Sequence, residues 1–140
     1  MAYLDTSVLV AALTNEIATS RVQTWLGAQQ PGDLFVSDWV TTELSSVLSI
    51  KMRTGQLEME HRAAALAMFA RLVSDSLTIL PISGAYFRTA ARFADQHALG
   101  LRADDALHLA VAGDQGQTLV TLDQRLASAS LTLGVSTQLL

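Results

Sequence analysis

The sequence predicts an α/β protein, a three-layer α/β/α sandwich around a mostly parallel sheet of roughly five strands. Two observations lead there. Short β-rich apolar runs alternate with longer helical ones along the whole chain, which is the pattern of a parallel sheet covered by helices on both faces. At the exits of two of those runs stand an acid and hydroxyls, residues whose side-chain oxygens cap a new helix. No linker, repeat or low-complexity segment interrupts the alternation, so residues 1–140 are assigned to a single domain. Half of the 140 residues are apolar and 16% are charged, enough to bury a sizeable core.

Strands are expected near 2–5, 34–37, 77–82, 117–121 and 133–137, and helices near 7–14, 19–28, 39–53, 58–74, 84–98, 104–114 and 123–129. Met1-Ala2-Tyr3-Leu4 is a short apolar run that ends in Asp5-Thr6-Ser7, after which Val8-Leu9-Val10-Ala11-Ala12-Leu13 continues apolar. Strand, turn and buried helix is the natural reading. Ligands in open α/β sheets sit at the carboxyl ends of strands, so Asp5 is a candidate site residue as well as a candidate cap. Pro31-Gly32-Asp33 makes the turn before the second strand, Gly55 closes the third helix, and Pro81 ends the third strand. The helix near 58–74 is rich in Ala, Met and Leu, which suits close packing on its own sheet or against a second subunit. His61 is expected in solvent and His97 near a helix C-terminus, while Trp25 and Trp39 read as packing residues.

Between 39 and 53, at 100° per residue, Val40, Leu44, Val47 and Leu48 form an apolar arc with Ile50 at its edge. Glu43 falls inside that arc, where a carboxylate is costly unless it is paired, metal-bound or able to snorkel out. From Ala106 to Ala112 only His108 is polar, so this helix is buried nearly all round and His108 reads as a buried hydrogen-bonding residue. The acids at its start, Asp104 and Asp105, lie where the helix dipole favours negative charge. Asp104 suits the N-cap, which leaves Asp105 facing inward. Thr118-Leu119-Val120-Thr121 then Leu122-Asp123 repeats the grammar of the first strand, with capping again a sufficient local explanation.

If the strands that deliver Asp5 and Asp123 are neighbours, four acids converge at one end of the sheet. Two carboxylates about 5 Å apart repel by roughly 3 kcal/mol at an effective dielectric near 20. Several such pairs offset much of a domain's ~5–15 kcal/mol, so either the groups are protonated or cations hold them. Oxygen donors with no His or Cys nearby point to Mg²⁺ or Mn²⁺.

Composition narrows the chemistry further. The chain has no Cys, which excludes disulfides and thiolate chemistry and fits a reducing cytoplasm. No apolar run approaches the roughly 18 residues that span a bilayer, and no basic region precedes the first apolar stretch, so neither membrane insertion nor a signal peptide is expected. The net charge of −4 argues against nucleic-acid binding through bulk positive charge, although two divalent cations would cancel it. Eight of the nine basic residues are Arg, the side chain suited to bidentate phosphate contacts. No Gly-rich phosphate loop and no Ser-His-Asp arrangement is evident. An aspartyl-phosphate mechanism would need an acid where Ser7 stands and a late Lys, whereas the one Lys is Lys51.

Taken in order, Tyr3-Leu4-Asp5-Thr6-Ser7, Thr42-Glu43-Leu44, Leu101-Arg102-Ala103-Asp104-Asp105-Ala106-Leu107-His108-Leu109-Ala110 and Val120-Thr121-Leu122-Asp123 resemble the signature of PIN-domain ribonucleases. More narrowly, they are similar to the VapC-type toxins of toxin–antitoxin pairs. The resemblance implies a PIN-like fold and Mg²⁺- or Mn²⁺-dependent endonuclease activity on RNA. It also implies homodimerisation and a small antitoxin that blocks the site. It implies further that Asp5, Glu43, Asp105 and Asp123 are the catalytic, metal-holding acids, with Asp104 competing for the third place. Thr6, Ser7 and Thr121 match positions where a hydroxyl orients carboxylates or waters. Arg102 and Arg125 flank the site, as phosphate contacts or as structural ion pairs. The alternative function is a catalytically silent scaffold of the same fold that binds RNA or protein.

Overall fold

The computed structural model describes residues 1–140. Its sheet is built from β1 (Ala2–Leu4), β2 (Leu34–Ser37), β3 (Leu77–Leu80), β4 (Thr118–Thr121) and β5 (Thr137–Leu139), all parallel, in the order β3-β2-β1-β4-β5. The earliest strand is therefore the central one. The chain builds outward from β1 to β3, then crosses back to place β4 on the other flank of β1. The order reverses between β1 and β4, and the crevice at their carboxyl ends is the switch point where open α/β sheets place ligands.

The helices are α1 (Thr6–Leu13), α2 (Thr19–Gly27), α3 (Asp38–Arg53), α4 (Met59–Asp75), α5 (Gly84–Ala94), α6 (Ala103–Asp114) and α7 (Gln124–Leu133), with a 3₁₀ turn over His97–Leu99. Alternation along the strands sorts the two cores. Leu4, Val36 and Val120 pack with Val8 and Leu9 of α1, Leu44 and Leu48 of α3, and Ala65 and Phe69 of α4. Tyr3 and Leu119 point to the other face and meet Leu109 and Val111 of α6 and Leu126 of α7. The expected arc of α3 is present through Val40, Leu44 and Leu48, but Ile50 lies outside it and is 46% exposed. Trp25 packs against the first core and Trp39 against Ala90, Ala106 and Leu107, while His61 is exposed as expected.

Several expected bounds shift for local reasons. The helix expected over 84–98 ends at Ala94, and His97 lies in a separate 3₁₀ turn that Gly100 closes at φ 64°. The last strand is not at 133–137. Helix α7 continues to Leu133, stops at Gly134 in the left-handed conformation (φ 72°), and β5 starts only at Thr137. Of the expected strand, Leu133 is thus the last residue of α7, an extension of the helix already nucleated by its Asp123 cap. Helix α6 starts at Ala103, so its N-cap is Arg102 and not Asp104.

Leu9 is fully buried in the first core, where truncation leaves a cavity. Leu9→Ala is expected to cost about 3–4 kcal/mol, read as a lower urea midpoint at unchanged m-value.

Candidate active site

The site is built on the end of β1. Asp5 follows Leu4, its N–H bonds the Val120 carbonyl at 3.2 Å, and only 4% of the residue is exposed. It caps α1, as local grammar requires, because Oδ1 accepts from the Val8 N–H at 3.3 Å. Ser7 Oγ donates to the same oxygen at 2.5 Å, and Thr121 Oγ1 donates to Oδ2 at 2.6 Å. Each hydroxyl is in turn tied to the exit of β4. Ser7 Oγ accepts from the Leu122 N–H at 3.1 Å, and Thr121 Oγ1 accepts from the Asp123 N–H at 3.0 Å. The bonds that solvate Asp5 thus also align the two strand ends. Asp123 caps α7, accepting from the N–H groups of Arg125 (2.8 Å) and Leu126 (3.3 Å).

Glu43 comes from α3 on the flank of the apolar arc. Its Oε1 accepts from Thr6 Oγ1 at 2.7 Å and from His108 Nε2 at 2.6 Å. His108 is 3% exposed, and its Nδ1 lies 2.9 Å from Tyr3 Oη, which in turn lies 2.8 Å from Ser37 Oγ. With both ring nitrogens engaged, His108 is a buried hydrogen-bonding residue and offers no lone pair to an ion. The expectation that no His lies near the acids is corrected here, because His108 is the partner of Glu43.

From α6 come both acids of the doublet. Asp105 Oδ2 accepts from the Arg102 N–H at 3.3 Å in a capping box, the capping role that had been expected of Asp104. Asp104 instead approaches Glu43 and His108, while Asp105 feels the charge of Asp123. Arg102 and Arg125 are exposed and make no ion pair with a carboxylate.

Asp5, Glu43, Asp104, Asp105 and Asp123 line one pocket of about 350 Å³, together with Thr6, Ser7, His108 and Arg102. A sixth acid, Glu16 in the turn after α1, joins them and is ion-paired with Lys51 at 2.9 Å. Nothing local distinguishes Glu16 in the sequence. The one available signal for His108 was that a lone polar residue on a buried helix must find a partner.

The electrostatics follow from this crowding. Burial pushes the Asp5 carboxyl above the usual range, against the His108 charge and the bonds from Ser7, Thr121 and Val8. Burial also raises Asp105, helped by the charges of Asp104 and Asp123. Burial alone would push Glu43 up and His108 down. Their mutual hydrogen bond and charge outweigh it, so Glu43 is held low and His108 high, as an ion pair. The donors suit a hard divalent cation, being carboxylate oxygens held by hydroxyls and N–H groups. No three of these groups close on one point as the side chains stand.

The PIN domain model matches residues 2–130 of the chain. This chain belongs to the PIN domain family. Ribonuclease VapC47 of Mycobacterium tuberculosis is 34% identical over 98% of this chain and 95% of its own length. Among solved structures, the PIN fold is shared with VapC20 of Mycobacterium tuberculosis, a sarcin-ricin-loop-cleaving toxin. That match has a TM-score of 0.75 and 19% identity over 92% of this chain and 95% of that one. It is shared too with a toxin–antitoxin complex from Klebsiella pneumoniae, with a TM-score of 0.60 and 20% identity over 88% and 87% of the two chains.

The sign of the pH dependence in metal-free protein follows from these shifts. Asp5, Asp105 and His108 are raised, so the folded chain holds extra protons and loses stability as pH rises through their values. Glu43 is lowered, so its contribution is lost as pH falls through the acid range. Melting temperature in EDTA is therefore expected to peak between the ordinary carboxylate value, about 4, and the ordinary imidazole value, about 6.5, and to fall towards pH 8. Asp5→Asn, which can still cap α1, should raise the pH 8 melting temperature in EDTA and flatten that fall.

Proposed function

We propose that this PIN domain, a single domain over residues 1–140, is a metal-dependent endoribonuclease acting as the toxin of a toxin–antitoxin pair. The observation that carries the reading is the gathering of Asp5, Glu43, Asp104, Asp105 and Asp123 from four elements into one pocket at the switch point. Full-length similarity to a ribonuclease supports it.

Mg²⁺ or Mn²⁺, when bound, supplies a water of lowered pKa and neutralises charge on the phosphoryl group. Asp5 and Asp105 would hold the ion directly, with Glu43 and Asp123 completing the site through water. Ser7 and Thr121 fix both oxygens of Asp5, and Thr6 fixes Glu43, so the carboxylates are oriented before substrate arrives. His108 keeps Glu43 ionised. Arg102 and Arg125, free of ion pairs at the rim, meet the RNA phosphates.

The partner surfaces are apolar. A groove of about 380 Å³ between α1, α2 and α4, lined by Leu13, Leu26, Ala64, Met68 and Leu72, fits the apolar face of a small antitoxin's helix. A second, of about 230 Å³, lies among Trp39, Phe87, Ala91, Ala94 and Leu107 and fits a second copy of the chain in a homodimer. No helix is long and apolar enough to cross a membrane, and the reading places the enzyme in the cytoplasm with its RNA.

Protein freed of any co-purifying partner is expected to cut structured RNA with Mg²⁺ or Mn²⁺ and to stop with EDTA. Asp5→Asn should lower the rate by at least about 10²-fold while the fold persists; unchanged cutting in that variant would defeat the assignment. In the doublet, Asp105→Asn should be the more damaging substitution. A larger loss for Asp104→Asn would transfer the third metal-holding place to Asp104.

A further inference from the structure

We infer that a second groove, walled off from the acid pocket by the Glu16–Lys51 pair, is a subsite for the nucleotide flanking the scissile phosphate, with Lys51 as its positioning residue. The inference rests on the nuclease reading above. The groove holds about 730 Å³, within the range of roughly 300–1,000 Å³ usual for ligand sites, and larger than the acid pocket. Thr14 and Asn15 after α1 form one side, Lys51 near the end of α3 another, and Gln56, Glu58 and His61 at the entry to α4 the third.

The two cavities share a wall. Glu16 lines the acid pocket, Lys51 lines the groove, and Nζ meets Oε1 at 2.9 Å. The Lys51 side chain is only 16% exposed. The Thr19 hydroxyl bridges the turn that carries Asn15 and Glu16. Thr19 Oγ1 accepts from the Glu16 N–H at 2.8 Å and bonds the carbonyls of Ala11 (2.7 Å) and Thr14 (2.9 Å).

Charge decides what the groove can hold. Six carboxylates line the acid pocket against one guanidinium and His108, so a phosphate is repelled there except where a cation sits. A strand leaving that pocket needs adjoining surface without excess negative charge. The groove is far less acidic than the pocket, because Glu58 is its one carboxylate, Lys51 is shared with Glu16 of the wall, and the remaining polar groups are two amides, a hydroxyl and an imidazole. Amides present a donor and an acceptor together, which is what the edge of an unstacked RNA base requires. An ammonium has three donors, so Lys51 can keep Glu16 and still meet the linking phosphate.

The test uses RNA oligonucleotides with randomised bases beside the cut, wild-type protein and Mg²⁺. Lys51→Gln should raise KM about tenfold, the effect of losing a charged hydrogen bond, with kcat within about a factor of two and Lys51→Arg restoring most of the loss. Asn15→Ala combined with Gln56→Ala, both at exposed positions, should flatten base preference at one flanking position, and this pair decides the matter if Lys51→Gln fails to fold. Wild-type cutting with KM and base preference unchanged in these variants overturns the subsite alone. Unchanged cutting with lost capture of the co-expressed antitoxin also overturns it, by giving the groove to the protein partner. A wild-type protein that cuts no RNA removes the nuclease reading, and the subsite with it.

Discussion

A carboxylate buried at the end of the central strand is the constraint on which this structure turns. Burying an ionised group without partners costs far more than a domain of this size can absorb. The fold offsets part of that cost with Ser7, Thr121 and the Val8 N–H, and both hydroxyls are simultaneously anchored to the backbone after β4. Strand alignment and carboxylate solvation are one set of bonds. The parallel register of β1 and β4, Tyr3 opposite Leu119 and Leu4 opposite Val120, places the two exits side by side so that this set can close.

The second answer to crowded negative charge is the protein's own cation. His108 sits on the buried face of α6 and spans from Glu43 to Tyr3, linking α3, α6, β1 and β2 through a chain that ends at Ser37. The acid doublet is divided by this arrangement. Asp104 is drawn to the Glu43–His108 side, and Asp105 turns to its own helix start, where the charges of Asp104 and Asp123 oppose its ionisation. Neutralisation is thus partial. The pair settles Glu43, whereas Asp5 and Asp105 remain acids whose ionisation burial opposes.

The chain path also sets how the surface is shared. Helix α1, capped by Asp5, runs for eight residues to Leu13, about 12 Å at 1.5 Å per residue, and the turn that follows brings Glu16 back to the acid pocket. One short helix and its turn therefore border both the acidic cavity and the more neutral groove.

The sequence by itself determined the elements and the acids. Alternating runs predicted the parallel sheet, capping grammar marked Asp5 and Asp123, and a carboxylate in an apolar arc marked Glu43, because each signal depends on residues a few positions apart. Local signals failed where two were in competition. The stretch 133–137 reads as strand until Gly134 is recognised as the stop of α7, and the Asp104-Asp105 doublet offers two caps until the helix is seen to start at Ala103. Only the tertiary structure decided that Thr121 serves Asp5 across 116 positions, that His108 neutralises Glu43 across 65, and that Lys51 walls a groove against Glu16. Those partners are chosen by how layers pack, and packing brings together groups whose separation along the chain carries no trace of their contact.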